Sequence, residues 1–349
     1  MPGSVWGKSG DFMRSVLIAV LQVLVTLALL GWIFSDAVVR EGVMLALRES
    51  DGGWMLLAVL MAGLCVGAGI LRWFIFLRMQ NFELGLRRVA AMFLLGGFFN
   101  LFLFGSLGGD AAKVVCVCRE SPGRHTAAIL SVLMDHMSGF VALLGLAICF
   151  TFVRYDVFMQ TPLAAGMLGT LILVLGISLG GVVLSLMLVR WQIGRRLPLP
   201  AFWRKRMAEV GLAFAALSQQ WRKSLLAVAV SVVVMLSHFF TFYCASRAVG
   251  GRSSLLDILT VMPVVDVMAG LPVSISGLGV REKSFEELLG VIGGVPAETA
   301  VLISLGGFAA TMVWGLVGGI VFCLYRSSGR RIHFSDVRSE LPHLESKHD

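Results

Sequence analysis

Twice along this chain a long apolar run breaks on glycines and passes directly into a cluster of acidic and basic residues. The first break reads Asn100-Leu-Phe-Leu-Phe-Gly-Ser-Leu-Gly-Gly-Asp-Ala-Ala-Lys113, the second Pro272-Val-Ser-Ile-Ser-Gly-Leu-Gly-Val-Arg-Glu-Lys283. Ionisable groups at the ends of membrane-length segments are costly to keep and mark sites rather than packing. Unwound backbone at membrane depth persists only where protein surrounds it or where it lines a cavity. One such break in each half of the chain points to a polar site inside a transporter-like bundle.

Composition agrees with a membrane setting. Of the 349 residues 57% are hydrophobic and 14% charged, against roughly 25% charged in soluble domains. Residues 1–325 read as a single membrane domain with halves 14–152 and 163–325, and 326–349 as a polar cytoplasmic tail. The run from Val16 to Phe34 is too long and too bulky at its end for a cleaved leader, so it reads as a first span. The six cysteines are scattered through apolar segments with no C-x-x-C and no histidine at metal spacing, which fits packing rather than redox or metal chemistry. No metal, cofactor or nucleic-acid partner is expected.

Apolar runs of crossing length cover 15–34, 54–75, 126–152, 163–189, 224–245 and 298–324; two more, 89–107 and 254–272, end in the glycine breaks. Charge decides whether those two cross. The densest basic stretch, 190–223, belongs in the cytoplasm by the positive-inside rule. It falls there, with both termini and most of the 29 basic residues, if 89–120 and 254–292 each enter and return on one side. On that count Arg72 sits with the cytoplasmic residues. The expected fold is an all-α polytopic membrane protein with six full spans and two re-entrant broken-helix elements. Each half is span, span, re-entrant element, span, in opposite orientations, an inverted repeat. The segment Trp203–Trp221 reads as an amphipathic helix on the cytoplasmic face.

The breaks carry the chemistry. Gly105, Gly108 and Gly109 free the backbone to approach a ligand. Asp110 is expected near the N-cap of a short return helix, with Lys113 three residues on, so that free N–H groups and a cation suit a phosphate; a plain Asp110–Lys113 pair is the alternative. In the second break Pro272 ends one arm, Ser274 and Ser276 supply hydroxyls, and Gly277 and Gly279 open the backbone before Arg281, Glu282 and Lys283. Arg281 is the strongest candidate for a headgroup contact because a guanidinium matches phosphate with a bidentate fork. An Arg281–Glu282 pair, or a cross-pair with Asp110, is the alternative. Asp135 and His136 lie about ten residues inside a span, where Asp135 could orient Arg281 or Lys113 or carry a proton. His238 and Asp266 are lone polar groups at similar depth.

These breaks and their flanking spans resemble the flippase-like membrane-domain family, the lysylphosphatidylglycerol synthase transmembrane region found in multiple peptide resistance factor proteins. The resemblance runs over most of 14–325. It rests on Asn100, on Gly108-Gly109-Asp110 with Lys113, on Asp135-His136 and, above all, on Pro272-x-Ser274-x-Ser276-Gly277-Leu-Gly279-Val-Arg281-Glu282. It implies a lipid translocase of a bacterial cytoplasmic membrane, without the aminoacyl transferase domain of fused members. The membrane lipids it implies as partners carry anionic phosphate or lipid-linked headgroups. The chain has no G-x-x-x-x-G-K-[ST] loop for ATP and no hydrolase motif. An intramembrane enzyme acting on lipid or polyprenyl-linked sugars, or an accessory scaffold for a lipid-modifying enzyme, is the rival reading. The expected answer to catalysis is no.

Overall fold

The computed structural model describes residues 50–102, 106–159, 220–270, 277 and 279–327, and scattered residues between 162 and 176. The expected span 15–34, most of 163–189, the amphipathic segment 203–219 and the tail beyond Ser327 lie outside the described residues.

Nine helices and no strand occur among the described residues. They are α1 (Gly52–Met79), α2 (Leu86–Phe102), α3 (Ser106–Glu120), α4 (His125–Val153) and the single turn α5 (Tyr155–Phe158), followed by α6 (Trp221–Ala248), α7 (Leu255–Ala269), α8 (Val280–Gly293) and α9 (Ala297–Ser327). Four of these, α1, α4, α6 and α9, are long and apolar enough to cross a bilayer. Local chemistry sets their ends. Asp51 caps α1 through Gly53 N–H at 2.7 Å. Ser254 and Asp257 close a capping box on α7. A left-handed Gly294 (φ 59°) ends α8, where a side chain would be strained.

The four remaining long-range helices are two broken arms. The first is α2 and α3, of 17 and 15 residues, and the second α7 and α8, of 15 and 14. At 1.5 Å per residue each of these helices is roughly 20–25 Å long, short of a full span. The return helix of the first break starts at Ser106 and runs to Glu120.

The order long, short, short, long occurs twice, and the first two helices of each half keep the same register. Gly52 to Trp221 and Leu86 to Leu255 are the same step of 169 residues. Apart from the contacts of the single turn α5, each packed pair has its counterpart: α1–α2 and α6–α7, α2–α3 and α7–α8, α3–α4 and α8–α9, α1–α4 and α6–α9, α4–α6 and α9–α1, α2–α9 and α7–α4. The helix α1 packs most extensively on α6, its own counterpart. These two run antiparallel. Asp51 N–H donates to the carbonyl of Ala248 at 2.8 Å, and at the opposite end Gln220 Nε2 donates to the carbonyl of Met79 at 3.3 Å. In each contact the residue capping one helix meets the last residue of the other.

The two halves are not packed alike. Against α2, Gly318 and Gly319 of α9 leave no room for a Cβ beneath the Leu94 carbonyl and the Phe98 ring. Phe98 and Phe322 stack there at 6.2 Å between centroids. The counterpart seam joins α4 to α7, and α7 carries no aromatic residue. Ile148 and Phe152 of α4 stay exposed, beside an apolar recess also lined by Ala147 and Leu168.

Candidate functional site

Each broken arm delivers a charged cluster to the long helix that follows it. In the first half the seam is α3 on α4. Asp110 Oδ1 lies 3.5 Å from Lys113 Nζ, and Asp110 Oδ2 lies 3.3 Å from His136 Nε2. Because α3 begins at Ser106, Asp110 stands one turn inside the helix, not at its N-cap as expected. Asp110 Oδ1 is buried without a hydrogen-bond partner, so the approach of Lys113 is ionic and the carboxylate keeps an open acceptor. The Lys113 side chain is 6% exposed and its ammonium sits 4.4 Å over the ring of Phe93. His136 Nδ1 lies 3.2 Å from the Val132 carbonyl, so both ring nitrogens face oxygen.

Glycine makes this seam possible. Gly109 N–H donates to Asn100 Oδ1 at 2.8 Å, tying the two sides of the break together. A Cβ on Gly109 would collide with the Gly96 carbonyl and with Asn100, so α2 and α3 cross at backbone contact. Of the residues expected here, Asn100, Gly109, Asp110, Lys113 and His136 come together, and Gly108 precedes them in the first turn of α3.

Asp135 turns the other way. It neither orients Arg281 nor faces Lys113; it accepts from Arg72 Nε at 2.6 Å. Arg72 Nη1 donates to Ser231 Oγ at 3.3 Å, and Ser231 to Ser138 Oγ at 3.1 Å, so the network runs through α1, α4 and α6. Gly139 leaves the space that the Arg72 guanidinium fills. Arg72 is therefore buried inside α1 and does not belong with the cytoplasmic charges. Its position within the run 54–75 was the available sign in sequence.

In the second half the seam is α8 on α9, and here every group is answered. Arg281 Nε donates to Ser304 Oγ at 2.9 Å and Nη2 to Glu282 Oε1 at 2.8 Å. Ser304 Oγ donates to the same carboxylate oxygen at 2.7 Å. The other oxygen of Glu282 accepts the N–H of Gly279, whose φ of 86° suits glycine. The Gly279 N–H is thus taken by the protein's own carboxylate rather than left open to a phosphate. Arg281 pairs with its neighbour rather than with Asp110, and it lies 4.5 Å over the Phe308 ring. Gly277 is buried with φ 73° against Ala269, while Pro272, Ser274 and Ser276 lie outside the described residues. Ser304 gave no signal in sequence. No group of three metal-ligating side chains occurs among the described residues.

Residues 19–335 match the model of the family described as Lysylphosphatidylglycerol synthase TM region. The chain belongs to that family. No curated protein matches it significantly. A membrane domain of the lysylphosphatidylglycerol synthase TM region family is a multi-pass membrane protein of lipid handling, and the four crossing-length helices agree. The match covers both broken arms and both charged seams, so neither cluster is peripheral to the family domain.

Proposed function

We propose that the protein is a lipid translocase that moves an anionic phospholipid or lipid-linked headgroup between leaflets of a bacterial cytoplasmic membrane, without covalent chemistry. The observation that carries the reading is the pair of equivalent seams, α3 on α4 and α8 on α9, each holding ionised side chains at the end of a broken arm. Buried charge at such depth is kept for a polar cargo or for conformational change. The antiparallel packing of α1 and α6 supports reading the halves as an inverted repeat whose broken arms enter from opposite faces. On this reading the apolar runs 15–34 and 163–189 of the sequence complete six spans, with both termini in the cytoplasm.

The two seams then have different tasks. The Arg281–Glu282–Ser304 set is closed on itself and holds the second arm to α9. The Asp110–Lys113–His136 set is open: one carboxylate oxygen has no donor and His136 is half exposed. Lys113 is the cation that meets the phosphate, and Arg281 is a positioning residue. The seam α2–α9 is closed by glycines and stacked rings while α4–α7 is not. Exchanging which seam is closed alternates access to the open set, with acyl tails left in lipid beside the exposed face of α4.

Headgroup-labelled lipid in proteoliposomes tests the reading. Wild-type protein should expose inner-leaflet label to an external quencher, and Lys113→Met should abolish the exchange. Equal rates for wild type, Lys113→Met and empty vesicles would defeat the proposal, and mass spectrometry of the lipids would show any covalent product.

A further inference from the structure

The inverted arrangement would be indifferent to direction if both halves were chemically equal, and at one place inside the bundle they are not. His238 Nε2 on α6 lies 3.3 Å from Asp266 Oδ1 on α7, with side chains 26% and 21% exposed. Both residues lie roughly 15–17 Å below the turn 249–254, counted at 1.5 Å per helical residue. The shared 169-residue register carries His238 onto Gly69 and Asp266 onto Gly97. In the first half the Phe93 ring covers Gly69 and leaves no room for a Cβ there, while Gly97 has open space around it. A titratable pair stands in one half where the other has glycine and an aromatic ring.

The surroundings isolate that pair. Phe242 presents its ring edge-on to His238 at 5.2 Å. No lysine or arginine among the described residues is within ion-pair distance of Asp266. From α1, Cys65 is in electrostatic reach of Asp266, and Arg72 is committed to Asp135 of α4. The nearest charges on α7 and after α4, Asp257 and Arg154, pair with each other at 3.0 Å. From α8, Arg281 is held by Glu282, and Lys283 by Glu286 and Glu287. The charged residues of α9, Glu298 and Arg326, are at its ends, as are Arg222, Lys223 and Arg247 on α6.

We propose that His238 and Asp266 form a single proton-binding site that couples lipid movement to a transmembrane proton gradient; the coupling rests on the translocase reading above. With one proton the pair is neutral overall, either as imidazolium and carboxylate or as imidazole and carboxylic acid. Without it the pair carries a net negative charge in the low-dielectric interior, which is costly. Enclosure therefore holds the proton, and opening to water on the acceptor side releases it. Pro263 interrupts α7 one turn before Asp266, so the carboxylate rides on a helix with a missing backbone bond. A proton taken from one side and released on the other supplies the direction that a symmetric carrier lacks.

The full-length protein in proteoliposomes, with headgroup-labelled phosphatidylglycerol and an imposed gradient of one pH unit, tests this. At one proton per lipid the steady-state leaflet ratio should skew up to ~tenfold in wild type. Asp266→Asn and His238→Gln should leave the ratio at unity. A wild-type ratio indifferent to the gradient, or variants that skew as wild type does, overturns the coupling. Infrared difference spectra across a pH titration read the site without any lipid movement: a signal of the pair should vanish in both variants. Spectra unchanged by either substitution overturn the proton site. Wild-type protein that moves no lipid at any gradient defeats the translocase reading and the coupling with it, while the spectra still judge proton binding.

Discussion

Arg72 and Asp135 meet at 2.6 Å with side chains 9% and 3% exposed, the most deeply enclosed Arg–Asp pair among the described residues. Removing one partner leaves the other charge buried alone. Arg72→Ala or Asp135→Ala should each cost about 3–5 kcal/mol in detergent unfolding measurements. The double change Arg72→Met with Asp135→Leu should recover most of that loss, since replacing both charges by apolar groups of similar volume removes the desolvation cost as well. A double variant no better than either single would assign the loss to shape instead.

Gly109 is a contact point between the two sides of the first break, and its Cβ position is already filled. Gly109→Ala should destabilise by about 1–3 kcal/mol through overpacking. Gly67 has open space around it and makes the control. Gly67→Ala should be neutral or slightly stabilising in the same thermal assay.

The open and closed seams should respond differently to substitution. Glu282→Gln strips Arg281 of its counter-charge and should lower unfolding stability by about 3 kcal/mol or more. Ser304→Ala removes a hydroxyl from the same network and should cost roughly 1 kcal/mol. Lys113→Met keeps most of the side-chain volume and leaves Asp110 facing the half-exposed His136, so it should cost less stability than Glu282→Gln while headgroup exchange is lost. Comparable thermal losses at all three positions would remove the distinction drawn between the seams.

The antiparallel packing of α1 and α6 predicts where their following turns lie. Asn81 and Arg252 are both exposed and occupy counterpart turns. In a background without native cysteines, Asn81→Cys and Arg252→Cys should react with an impermeant thiol reagent from opposite sides of the membrane. Labelling from one common side would contradict the inverted arrangement.

Much of this was legible in the residues. Long apolar runs gave the four crossing-length helices because hydropathy needs no partner to be read. The two glycine breaks marked the arms, and Gly279 with Glu282 three residues on carried the spacing of a reach-back cap. What was not legible depended on which residues face one another. Arg72 looked like a terminal charge until Asp135 was seen across from it. Asp110 was placed at a helix start because Gly108 and Gly109 read as loop, yet they are the first turn of α3. His238 and Asp266 are 28 residues apart and looked solitary, since a turn between two helices is what joins them. The register shared by α1 and α6 was hidden for a related reason: side chains diverged while the lengths of these two helices and of the turns after them did not, so Thr241 stands where the first half has Arg72.

Equal turns, 80–85 and 249–254, join α1 to α2 and α6 to α7, and the antiparallel α1 and α6 set those two helix pairs head to tail. The contacts joining Asp51 to Ala248 and Gln220 to Met79 need no covalent connection between α1 and α6. Each of these two helices has its start tied to the other's end, so the joint between them is closed at both ends.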